Sequence, residues 1–130
     1  MAKKKQAPPA LEYRLIITSY IDDLRQTPMT RITLETVQVF ASFRYELSIR
    51  EHVGEKELRY EILGLKAPRL DLPATGTAQF VRDYPRLKGT YTIVVAHIDG
   101  TANTFVVQCT AKQMKVLQSP KHPFVELIIA

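Results

Sequence analysis

The chain has little of what small extracellular domains and nucleotide-binding enzymes depend on. Its 130 residues include a single cysteine, Cys109, and no tryptophan. One cysteine cannot form a disulfide within the chain, so a reducing, cytoplasmic location is the expectation. The five glycines are scattered, and none belongs to a glycine-rich loop that could cradle a phosphate. The common nucleotide-binding and serine-hydrolase motifs are therefore absent.

Long apolar runs are also missing. The first five residues include three lysines, but Gln6-Ala7-Pro8-Pro9 follow where a secretory signal would be apolar. The next apolar group, Leu15-Ile16-Ile17, soon gives way to polar residues. It is far shorter than the roughly 20 residues that a membrane-spanning helix needs. We therefore expect a soluble protein that does not associate with a membrane.

A strong excess of one charge is missing from most of the chain. Lysine and arginine number 18 against 13 aspartate and glutamate, a net charge of +5. Lys3, Lys4 and Lys5 account for three of the positive charges, and without them the balance is 15 against 13, or +2. We predict a flexible basic tail over residues 1–10 and a single β domain over residues 11–130. A nearly neutral domain argues against a fold built to bind nucleic acid.

What the sequence does contain is alternation of apolar and polar residues. Seven consecutive odd-numbered apolar positions run from Val37 to Ile49. No helix places such a set on one face, so the pattern predicts a long strand. The change of phase near Glu35-Thr36 predicts a β-bulge or a change of strand. Residues 76–84 and 111–117 fit either a strand or a short helix.

Two dipeptides predict hairpin turns. Gly54-Glu55 fits a type II′ turn, which sets Arg50 opposite Arg59. The alternative is a register shifted by two, with Arg50 opposite Glu57. Asp99-Gly100 fits a type I′ turn that follows a strand from Thr90 to Ile98, with Ile98 opposite Thr101.

The end of the chain is apolar from Phe124 to Ile129. A strand of this composition has to be covered, either within its own sheet or across a homodimer interface. The residues that would form such an interface are Phe124, Val125, Leu127 and Ile129.

Residues Leu87-Lys88-Gly89-Thr90-Tyr91 lead into a strong strand, and this segment resembles the tyrosine corner of immunoglobulin-like sandwiches. The predicted fold class is accordingly all-β. We expect an antiparallel β-sandwich, of which an immunoglobulin-like arrangement is one form, and a partly closed β-barrel is the alternative. A resemblance at the level of the fold implies nothing about function.

Clusters of cationic side chains are the candidate anion-binding or partner-binding groups, because guanidinium groups clamp carboxylates and phosphates. One cluster lies beside the first predicted turn and another flanks Tyr84. The alternative is an ordinary solvated face of mixed charge. The candidates are Arg50, His52, Arg59, Arg82, Arg86 and Lys88, together with Lys3, Lys4 and Lys5 in the tail.

The other reactive side chains favour structural roles. Cys109 shares an apolar strand with Phe105 and Val107, which indicates a buried core thiol. In the predicted register His97 points to the opposite face, so the two do not form a nucleophile–base pair. His97 is expected at the core margin and His122 in solvent. No three histidine, cysteine or acidic residues have metal-ligand spacing, so no metal or cofactor is expected.

These features favour a non-enzymatic binding or protein-interaction module. One alternative is a nucleic-acid-associated or ribosome-associated protein that uses the basic tail and loop lysines. Another is a carrier of a small apolar ligand held between the sheets. An enzyme is the least favoured class.

Overall fold

The computed structural model describes residues 11–42, 44–67 and 75–130. In these ranges all regular structure is β-strand, and none of it is a helix that could cross a membrane. The predicted basic tail lies outside the described residues. The nine strands are β1 (Tyr13–Asp22), β2 (Thr27–Phe40), β3 (Glu46–Val53), β4 (Glu57–Lys66), β5 (Gly76–Pro85), β6 (Gly89–Ala96), β7 (Ala102–Cys109), β8 (Met114–Gln118) and β9 (Val125–Ile129).

All nine strands belong to one mixed sheet in the order β8-β7-β6-β4-β3-β5-β2-β1-β9. The sheet is nearly closed into a barrel. Three of its pairings are parallel, β1 with β9, β3 with β5 and β4 with β6. The predicted all-β class is confirmed, and the arrangement is the partly closed barrel that was the alternative.

The core fills the interior of the barrel, because alternate residues of each strand point inward. Leu15 and Ile17 of β1 are buried, as the alternation predicts, and Tyr60 and Phe105 are the largest fully buried side chains. Residues 76–84 and 111–117, which the sequence left open, contribute strands β5 and β8.

The apolar C-terminal segment is covered within its own sheet. Strand β9 pairs in parallel with β1, with Tyr13 opposite Val125. Phe124 and Val125 are only 7% and 1% exposed. Half of the proposed dimer interface is therefore already buried inside the chain.

The long strand predicted from Val37 to Ile49 is wrong, because β2 ends at Phe40 and β3 begins at Glu46. Val39 is 59% exposed. The predicted irregularity is confirmed, since the pairing of β2 with β5 shifts register between Glu35 and Val39. The Thr36 hydroxyl accepts a hydrogen bond from the Ala78 N–H at 2.9 Å there, in place of a backbone partner.

The first predicted hairpin register is wrong. Arg50 lies opposite Glu61, and His52 lies opposite Arg59. Gly54 does not have the positive φ that a type II′ turn requires. Its N–H instead donates to the Glu57 carbonyl at 2.7 Å, which closes a longer loop.

The second predicted register is wrong by one residue, since Ala96 pairs with Ala102. Five residues lie between the two strands, and among them only Gly100 adopts a positive φ, at 95°. A shift of one residue exchanges the faces of one strand relative to its partner. His97 and Cys109 are therefore on the same face, but Cys109 lies opposite Gly89 at the far end of the hairpin.

The barrel consists of two half-sheets that meet along two joints. One half-sheet contains β9, β1, β2 and β5, and the other contains β3, β4, β6, β7 and β8. At the first joint, a single parallel bridge joins Glu46 to Gln79. At the second, which we call the seam, the Asn103 side-chain oxygen accepts the N–H groups of Phe124 at 2.8 Å and Val125 at 3.1 Å.

Candidate binding cleft between strands β3 and β5

The first joint opens into a cleft. Strands β3 and β5 run in the same direction, and their only ladder pair is Glu46 with Gln79. The other edge of β3 is bonded to β4 and the other edge of β5 is bonded to β2. Beyond the bridge, the cleft-facing backbone groups therefore have no ladder partner among the described residues. The cavity between the strands has a volume of about 590 Å³.

The floor of the cleft is apolar and its rim is cationic. Leu47, Ile49 and Phe80 line the floor, and all three pack with the hydrophobic core. The charged residues of the lining are Arg44, Lys66, Arg82 and Glu46. The cleft thus presents three cations and one carboxylate.

Two of the three cations have no acidic partner. Neither Arg44 nor Lys66 forms an ion pair with a described carboxylate. The Arg44 guanidinium lies over Gly76, where an added Cβ would come within 3.0 Å of Arg44 Nε. The absence of a side chain at Gly76 therefore makes room for this cation beside the cleft.

The third cation, Arg82, is held in place. Its guanidinium carbon lies 4.4 Å from the centre of the Phe80 ring, a cation–π contact. Its Nε is 3.2 Å from Glu51 Oε1, and its Nη1 donates to the Val81 carbonyl at 3.1 Å. Its Nη2 has no acceptor among the described residues. Arg82 can therefore still bind an anion from outside the chain.

A short chain of hydroxyl groups holds Glu51. The Tyr84 hydroxyl donates to Glu51 Oε2. It therefore accepts from the Tyr60 hydroxyl, 2.8 Å away. Burial raises the pKa of Tyr60 and of Tyr84 above the ordinary value of 10.0. Both phenols are neutral at physiological pH, where they act as fixed hydrogen-bond donors.

The predicted candidate residues are not brought together at one site. Arg82 alone lies in the cleft. Arg50, His52 and Arg59 lie on the β3–β4 face and converge on Glu61, at 3.5, 3.6 and 3.5 Å. These three groups therefore already share a carboxylate.

The other two predicted candidates in the described residues contact backbone carbonyl groups or solvent. Arg86 donates through Nη2 to the Ala111 carbonyl. Lys88 has an exposed side chain, and its own carbonyl accepts from Lys56 Nζ at 2.6 Å. Lys3, Lys4 and Lys5 lie outside the described residues.

The structural roles predicted for three other residues are confirmed. Cys109 is 4% exposed, and burial raises the pKa of its thiol. The ring of His97 is mostly covered, and its Nδ1 accepts the Asp99 N–H at 3.2 Å. His122 is exposed. The described parts of the chain hold no group of three potential metal ligands.

Sequence reasoning missed Arg44, Lys66 and Glu51. Arg44 lies just before β3 and Lys66 ends β4, and both line the cleft, whereas Glu51 of β3 is connected to the cleft through Arg82 of β5. No local pattern singles out Arg44, which lies just before β3 begins at Glu46.

No protein-family model, curated protein or solved structure was found to match this chain. The function of the cleft therefore has to be inferred from its own chemistry.

Proposed function

We propose that this protein is a non-enzymatic binding module and that its site is the cleft between β3 and β5. The observation that carries the proposal is the interruption of the sheet over a cavity of about 590 Å³. Ligand-binding cavities in proteins commonly have volumes of about 300 to 1,000 Å³. An uninterrupted ladder would leave no such opening.

The lining indicates what kind of ligand fits. Phe80 and Ile49 offer apolar surface on the floor, while Arg44 and Lys66 form no ion pair with any carboxylate that the structure describes. A ligand with an anionic group beside an apolar portion satisfies both features. A purely apolar ligand would leave the cations without an anionic partner, and a simple inorganic anion would leave the apolar floor exposed to water.

Anilinonaphthalene sulfonate has this chemistry and serves as the probe. We expect its fluorescence to rise on binding to the native protein and its affinity to fall about tenfold or more in the double variant Arg44→Gln, Arg82→Gln. The matched control is Arg25→Gln, an exposed arginine in the turn between β1 and β2. Equal affinity in both variants would contradict the proposal.

The cytoplasmic location, the immunoglobulin-like comparison and an association with nucleic acid through the tail stay predictions from the sequence. The carrier hypothesis differs from the proposal in requiring an uncharged ligand. Native mass spectrometry of the purified protein separates the two, because the mass of a retained molecule shows whether it contains an acidic group.

A further inference from the structure

Each strand beside the cleft presents an unpaired edge. On β3 this edge runs from Leu47 to Arg50, and on β5 it runs from Phe80 to Asp83. Backbone N–H and C=O groups need partners, and an open strand edge is a template for another extended chain. Here two such edges border the same cavity.

We propose that the cleft receives an extended acidic segment of another protein, which adds as a strand between β3 and β5. The inference rests on the proposed function of this cleft and specifies its ligand. A small anion could use the cations and the floor, but it would leave both backbone edges unpaired. A peptide in strand conformation uses all three features, which is the recognition mode of β-augmentation.

Charge complementarity determines the composition of the segment. Side chains alternate along a strand, so one set would face the apolar floor and the other set the rim. The rim cations Arg44 and Lys66 favour glutamate or aspartate in the outer set, while Arg82 shares the face of Phe80 and lies at one end of the inner set. Leu47, Ile49 and Phe80 favour apolar residues in the inner set.

The chain's own N-terminal segment is a poor occupant. It carries Lys3, Lys4 and Lys5, which the rim cations would repel.

Residues Leu47 to Arg50 and Phe80 to Asp83 each span about 10 to 13 Å at the rise of a strand. A segment of roughly four to six residues fits this length.

The probe is a short synthetic peptide of alternating valine and glutamate, blocked at both ends and carrying a fluorophore. Three versions are compared by anisotropy. They are the parent peptide, the same peptide with alternate amides N-methylated, and one with lysine in place of glutamate. We expect the parent to bind, the N-methylated form to bind about tenfold more weakly or worse, and the lysine form not to bind.

Amide hydrogen exchange locates the bound peptide. We expect slower exchange within residues 47–50 and 80–83, and little change in β8, which is an edge strand of the same sheet. The double variant Arg44→Gln, Lys66→Gln is expected to weaken binding, whereas Arg25→Gln, Lys115→Gln removes two exposed charges elsewhere and is the matched control.

The outcomes separate this inference from the proposed function. Tight binding of the N-methylated peptide, or protection on β8 instead of the cleft, would overturn strand addition. Binding of anilinonaphthalene sulfonate without any peptide would also overturn it, while leaving the cleft as a site for small anions. Failure of both probes would overturn both proposals.

Discussion

At the scale of the residue, Glu51 offsets the charge of one cleft cation, Arg82. Its carboxylate accepts from Tyr84 and lies 3.2 Å from Arg82 Nε. Glu51 is therefore a carboxylate of the chain itself that already contacts the Arg82 guanidinium, the same group that an external anion would bind. Arg82 is half exposed and Glu51 less so, which places the pair at the boundary of the interior.

The variant Glu51→Gln is expected to bind anilinonaphthalene sulfonate several-fold more tightly. Glutamine keeps an oxygen that can accept from Tyr84 but no longer neutralises Arg82, so the cleft gains one net positive charge. Fluorescence titration measures the change, and Glu126→Gln on β9 is the control because that residue is exposed on the other half-sheet. Weaker binding in Glu51→Gln would contradict the role assigned to Arg82.

Replacing either of the two tyrosines with phenylalanine is expected to lower the free energy of unfolding, and the loss should be larger for Tyr84 than for Tyr60. Tyr60→Phe removes a buried donor, but the Tyr84 hydroxyl keeps its hydrogen bond to Glu51, so we expect a loss of about 1 kcal/mol. Tyr84→Phe leaves the fully buried Tyr60 hydroxyl without its partner, and we expect a loss of about 1–3 kcal/mol. Denaturant unfolding of both variants provides the comparison. The reverse order would show that the hydroxyl chain is assigned in the wrong direction.

At the scale of the element, a buried amide side chain joins the backbones of the two half-sheets at the seam. Asn103 is buried, and its oxygen accepts both N–H groups where β9 begins. Its Nδ2 also lies 3.5 Å from the His122 carbonyl. The seam is thus closed by an amide side chain where a continuous sheet would have a backbone ladder.

We expect Asn103→Ala to lower the free energy of unfolding by about 2 kcal/mol or more, because two buried N–H groups lose their acceptor. Asn103→Asp keeps the acceptor and should recover much of that loss. Amide exchange at Phe124 and Val125 should accelerate in the alanine variant and much less in the aspartate variant. Equal acceleration in both variants would indicate that the acceptor is not what holds β9.

Elements differ in how well the sequence predicts them. Alternation correctly predicted the buried Leu15 and Ile17, and it predicted the strand from Thr90, although β6 ends at Ala96 and not at Ile98. The hairpin registers failed, because a register depends on turn residues such as Gly54 and Gly100, whose φ the sequence does not determine. Arg82 was found as one of several local charges. Its approach to Glu51 depends on how distant strands close the barrel, which no local pattern encodes.

At the scale of the whole molecule, the buried phenols link stability to alkaline pH. The folded-state pKa of Tyr60 is raised above the ordinary 10.0, so the folded chain retains a proton that the unfolded chain releases. The stabilising contribution is complete below pH 10 and is lost as pH rises above it. We expect the unfolding free energy to decline above about pH 10, and to decline less steeply in Tyr60→Phe. Denaturant titrations at several alkaline pH values provide the measurement, and identical slopes would contradict the assignment.

The two half-sheets also have a mechanical consequence. Along the chain, the connections β2–β3, β4–β5, β5–β6 and β8–β9 each pass from one half-sheet to the other. Four chain connections therefore link two half-sheets that share only one ladder pair beside the cleft. Such a joint can act as a hinge, and the chain connections keep the two half-sheets together when it opens. It can widen by bending at Glu46 and Gln79, and neither half-sheet then loses its own ladder, but the contacts of Glu51 with Arg82 and Tyr84 across the joint have to break.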